Sequence, residues 1–111
     1  MSKLSAMPIL LFYVTHPDEA TAREIAARLF EKKLVACANF FPIGSMYEWQ
    51  GAKQNDKEWV SVLKTRPELE SRVEEALAAL HPYDTPCFIR WEVRANEGYE
   101  RWIDEQTAVS S

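Results

Sequence analysis

Two apolar stretches constrain this chain more than anything else in it. Val35-Ala36-Cys37-Ala38-Asn39-Phe40-Phe41-Pro42 leads into Met46-Tyr47-Glu48-Trp49-Gln50-Gly51, and a second run over residues 59–65 ends in Leu63-Lys64-Thr65. Both are rich in β-branched and aromatic residues, the composition of strands. They read as one long aromatic β-hairpin, with Pro42 and Gly44 predicting a bulge or bend and polar residues 51–57 predicting the turn. An extended segment over 35–50 spans about 50 Å at ~3.3 Å per residue. The helix before it spans only about 24 Å at 1.5 Å per residue, so part of the hairpin must run past the helix layer. Tyr47, Trp49 and Trp59 are placed on that overhang. An apolar edge of this length needs a cover, which predicts an assembly of subunits.

The remaining elements fall around the hairpin. Residues 8–14 are continuously apolar and predict a central strand buried on both faces. Thr15-His16-Pro17-Asp18-Glu19 reads as a helix start, with Ala22, Ile25, Ala26 and Leu29 following at helical spacing. A second helix opens at Thr65, Pro67 and Glu68, buries Leu69, Val73, Ala76, Leu77 and Leu80, and stops at His81-Pro82. Residues 87–94 alternate, with Cys87, Ile89, Trp91 and Val93 opposite Phe88, Arg90, Glu92 and Arg94. Tyr99, Trp102, Ile103 and Gln106 mark a last helix. The order is βαββαβ plus a C-terminal helix, an α+β, ferredoxin-like sandwich with two helices on one face of an antiparallel sheet. It forms one domain over 1–111, with 1–6 and 107–111 expected to fray.

Charge and composition remove several function classes. Thirteen Lys and Arg against 17 Asp and Glu leave a net charge of −4 and no basic stripe for phosphates, so no nucleic-acid partner is expected. No run of about 20 apolar residues exists to span a membrane, and residues 7–14 lack the flanks of a signal peptide. Two Cys, far apart, do not form a disulfide framework, which points to a reducing, cytoplasmic setting. Four Trp and four Tyr in 111 residues are a heavy aromatic load, suited to an interface as well as to a core.

The same residues resemble the CutA family of divalent-cation tolerance proteins. The resemblance runs from about Ile9 to Ile103. It rests on Thr15-His16-Pro17-Asp18-Glu19-Ala20, Leu34-Val35-Ala36-Cys37-Ala38-Asn39, Met46-Tyr47-Glu48-Trp49-Gln50-Gly51, Leu63-Lys64-Thr65 and His81-Pro82-Tyr83-Asp84-Thr85-Pro86, in order and in register. It implies a compact homotrimer in which each hairpin packs on a neighbour, and binding of copper or another divalent cation, with no agreed enzymatic reaction. Three positions depart from the family pattern. Val14 stands where some members have Cys, Cys87 where Glu is frequent, and Glu92 where Pro is common.

Three kinds of chemistry are open to these residues. Cys37, Cys87, His16 and His81 offer thiolate and imidazole ligands for copper or zinc, though without Cys-x-x-Cys or helical His pairing. The resemblance favours Cys37, with His81 and Cys87, as the metal set. The other reading makes Cys37 a small core residue and His81 a helix cap. Tyr47, Trp49, Lys64 and Tyr83, with His81, could wall a small-molecule pocket as in trimeric PII-type proteins, or form the subunit interface. An enzyme is not expected. Pro17 and two acids spoil the loop after the first strand as a phosphate cradle, and no nucleophile-base pattern is visible.

Overall fold

The computed structural model describes residues 7–107. Four antiparallel strands, β1 (Ile9–His16), β2 (Cys37–Trp49), β3 (Ala52–Thr65) and β4 (Phe88–Val93), pair in the order β2-β3-β1-β4. Three α-helices, α1 (Glu19–Glu31), α2 (Glu70–Leu80) and α3 (Glu97–Gln106), complete an α+β fold. A 3-10 turn over Pro67–Leu69 leads into α2.

One face of the sheet carries the main core. Leu10, Phe12 and Val14 of β1 and Leu63 of β3 pack against Ile25, Ala26 and Leu29 of α1 and Val73 and Leu77 of α2. Asp18 caps α1 by accepting the Thr21 N–H at 2.7 Å, satisfying an orphan donor of the first turn. On the opposite face, α3 covers one end, where Ile103 joins Ile9 and Ala36, with Leu11 and Val93 against them. Part of that face is bare among the described residues: Phe41, Ile89 and Trp91 are all exposed, Ile89 at 53%.

Several boundaries differ from the sequence reading. β1 continues through Thr15 to His16, so His16 is a core strand residue rather than part of a helix start. The β2–β3 ladder runs from Cys37↔Lys64 to Trp49↔Ala52 with no slip, so Pro42 and Gly44 make no bulge. β2 is an edge strand, where a missing N–H is tolerated. Reversal takes two residues, Gln50 and Gly51, at φ 53° and 83°. Both are left-handed, the type I′ geometry that matches strand twist. Residues 52–57, expected as turn, are strand.

The overhang is confirmed in form. The last row shared with β1 is His16↔Trp59, and from Ile43↔Glu58 outward the hairpin runs alone for about 23 Å at ~3.3 Å per residue. It gives the protein a 55 Å long axis against 24 and 20 Å. Tyr47 and Trp49 lie on it, but Trp59 sits at its root, partly buried in the row of His16. Thr107, expected to fray, is buried and donates its hydroxyl to the Ile103 carbonyl at 2.8 Å. The other residues expected to fray lie outside the described residues.

Candidate functional site

The site is built where the loop over 81–86 folds back against the root of the hairpin. Pro82 ends α2, and His81 turns inward. The Thr15 carbonyl can only accept, so His81 Nε2 donates to it at 2.8 Å. The Tyr83 N–H donates to Nδ1 at 3.2 Å. His81 is thereby fixed as the Nε2–H tautomer, with both ring nitrogens engaged inside the chain. Its ring stacks on His16, 5.2 Å between centroids, and meets Tyr83 edge-on at 4.8 Å.

His16 is fully buried, and its Nε2 lies 2.8 Å from the Ser61 hydroxyl. Its Nδ1 has no partner among the described residues. Burial, helped by the neighbouring His81 and partly opposed by Asp18, pushes its pKa down to about 4. A neutral ring is the inexpensive state there, because an orphaned lone pair costs less than a buried charge.

Tyr83 completes the connection to the hairpin. Its hydroxyl donates to Glu58 Oε2 at 2.7 Å. Burial first, then the Glu58 bond, pushes the Tyr83 phenol well above its usual range, so it stays protonated. Glu58 is only 8% exposed. Further out, the Tyr47 hydroxyl donates to Asp56, which raises the phenol's pKa. Between these groups opens a cleft of about 360 Å³, lined by Thr15, Tyr47, Trp49, Glu58, Tyr83, Asp84 and Thr85. Cross-strand parity explains the lining. Tyr47 and Trp49 of β2 share a face with Asp56 and Glu58 of β3, while Lys53 and Lys57 alternate to the other side.

The family model for the CutA1 divalent ion tolerance protein matches residues 10–106. The chain belongs to that family. A Divalent-cation tolerance protein CutA from Thermotoga maritima is 42% identical over 98 residues, 87% of this chain and 97% of its own. The crystal structure of CutA1 from Ehrlichia chaffeensis superposes with a TM-score of 0.89 at 37% identity, covering 95% of this chain and 100% of that one. The Periplasmic divalent cation tolerance protein CutA from Archaeoglobus fulgidus gives 0.87 at 38% identity, covering 90% and 99%. CutA relatives are named as tolerance proteins rather than enzymes.

Set against the fold, the expected CutA metal ligands do not converge. Cys37 lies on edge strand β2, in the row of Lys64, Leu11 and Trp91. Cys87 immediately precedes β4 at the opposite edge. Three strand spacings of about 4.8 Å and four rows of ~3.3 Å separate them, too far for one ion. His81 stands at the level of Thr15 on β1, two strands and four rows from Cys37, and its nitrogens are committed. Among the described residues no group of three or more His, Cys, Asp or Glu is placed to hold an ion. Within a single chain, then, Cys37, His81 and Cys87 are not brought together.

Of the pocket candidates, Tyr47, Trp49 and Tyr83 do line one cleft. Lys64 does not: it sits four rows away and donates to the Tyr99 hydroxyl at 3.2 Å. Glu58 is the residue that sequence reasoning missed. The available signal was its phase, two residues before Val60 on a strand whose alternate positions point inward.

Proposed function

We propose that this CutA protein is a ferredoxin-like homotrimer that binds copper or a similar divalent cation and serves metal tolerance without catalysing a reaction. One observation carries the reading: the two thiols stand at opposite edges of the same sheet. A closed ring of copies, edge β2 against the next copy's edge β4, would bring a Cys37 and a Cys87 to every junction. The bare face with Phe41, Ile89 and Trp91 supports assembly, since monomers rarely leave such patches open. Two unpaired cysteines that cannot meet within one chain support a reducing, cytoplasmic location. Anaerobic copper titration, read as stoichiometry per subunit, tests the proposal. Cys37→Ser and Cys87→Ser should each weaken binding at least about tenfold, ~1.4 kcal/mol. Unchanged affinity in both variants returns the thiols to packing roles.

A second reading, a PII-like small-molecule or scaffold module with no metal role, is favoured by a different observation. The cleft beside Tyr47, Trp49 and Tyr83 combines aromatic walls with a few convergent polar groups, as ligand sites do. The rigid loop that holds Tyr83 needs no ordering on binding.

A further inference from the structure

We infer that the cleft at the hairpin root is a site for a small organic ammonium. The inference rests on the small-molecule reading of the cleft and names the chemical class of its ligand.

The charges on its walls are of one sign. Glu58 and Asp84 line it, and Asp56 stands behind Tyr47, while no Lys or Arg is among the lining residues. Strand alternation sends Lys53 and Lys57 to the far side of the hairpin. Among the described residues, Glu58, Asp56 and Asp84 form no ion pair. That matters most at Glu58, which is buried. Its only hydrogen-bond donor among the described residues is the Tyr83 hydroxyl, a neutral group that orients the carboxylate without cancelling its charge. A carboxylate buried this far without a countercharge is expensive. A cation arriving from outside would relieve it.

The walls say which cation. The rings of Tyr47, Trp49 and Tyr83 border the same space, and an aromatic face attracts an ammonium through its quadrupole. A hard metal cation would instead need a convergent shell of about six or more oxygens, whereas no group of three or more His, Cys, Asp or Glu is placed together among the described residues and much of the wall is aromatic. About 360 Å³ suits a small molecule rather than a bare ion. The hydroxyls of Thr15 and Thr85 lie on the remaining walls, where they can accept from N–H or O–H groups of the guest.

Calorimetric titration of the full-length assembled protein with choline and with 3,3-dimethylbutan-1-ol tests this directly. The two share a shape and differ by one positive charge. Choline should bind at least about tenfold more tightly. Glu58→Gln and Asp84→Asn should each weaken choline several-fold and leave the alcohol unaffected. Asp84 is exposed and makes no hydrogen bond among the described residues, so its variant tests the charge without threatening the fold. Equal affinity for both ligands overturns the inference while the small-molecule reading stands. Binding of neither at tens of millimolar overturns both. If choline fails to bind and Glu58→Gln splits the assembly, the cleft holds a cationic side chain of a neighbouring copy, and the inference is again overturned.

Discussion

The imidazole of His81 lies over that of His16, 5.2 Å between ring centroids and 28° from parallel. One ring belongs to the loop after α2 and the other to the central strand, so the stack pins the loop to the sheet. It also fixes a pH response. His16 titrates near 6.5 when unfolded and at about 4 when folded, chiefly through burial. Above pH 6.5 the ring is neutral in both states and its contribution is complete. Between 6.5 and 4 the unfolded chain takes a proton that the folded chain refuses. Stability should fall by up to about 3 kcal/mol per subunit across that window, and no further from this group below it. Denaturant unfolding at fixed protein concentration, pH 7 to 4, measures the slope. His16→Gln should flatten it, and a slope that survives the substitution sinks the assignment.

The Tyr83 hydroxyl has a structural duty that its position in a Pro-bounded loop does not announce. Tyr83→Phe keeps the ring but strips the buried Glu58 carboxylate of its donor. A loss of ~1–3 kcal/mol is expected. In a double-mutant cycle with Glu58→Gln the two losses should not add. An unchanged melting temperature for Tyr83→Phe would show that water replaces the hydroxyl at no cost.

The proposed assembly, with the bare sheet face covered in it, predicts sensitivity to charge at the centre of that face. Trp91 is exposed in the single chain, level with Leu11 and beside Ile89. Trp91→Glu should reduce the mass seen by light scattering to that of one chain, because a desolvated carboxylate without a partner costs several kcal/mol per subunit. Retention of the full mass would place the contact elsewhere.

Backbone conformation alone governs the tip of the hairpin. Gly51 sits at φ +83° with open space where a methyl group would project, so Gly51→Ala should cost about 1–2 kcal/mol purely through left-handed geometry. Gly44 also has open space and no positive φ, so Gly44→Ala should be neutral or slightly stabilising. Equal effects at the two glycines in thermal unfolding would contradict the type I′ assignment.

The sequence of elements, the helix faces and the overhang are legible because each rests on apolar periodicity or length. Leu69, Val73 and Leu77 announce a buried stripe, and Ile89, Trp91 and Val93 announce one side of a strand. The turn is illegible for the same reason. Residues 52–57 stand in a ribbon with no core beneath it, so Lys53, Gln54, Asn55, Asp56 and Lys57 carry no apolar alternation and read as loop. His16 is easily misplaced because Pro17 and Asp18 give a strong helix-start signal one residue later, and nothing in the sequence shows that Ser61 waits across the strand to receive the ring. Glu58 escapes notice because burial of an acid depends on a loop that arrives 25 residues later.

The unbroken ladder from Cys37 to Trp49 has a consequence for how such a chain can change length. Ala38 and Phe40 pack on the core at one end, and Tyr47 and Trp49 border the cleft at the other, on one continuous alternation. No bulge lies between them to absorb a change of phase. Inserting one residue would leave either the core or the cleft with its side chains on the wrong face. Inserting two on each strand would keep both. The hairpin's length is therefore quantised, and this lineage can lengthen or shorten it only in even steps.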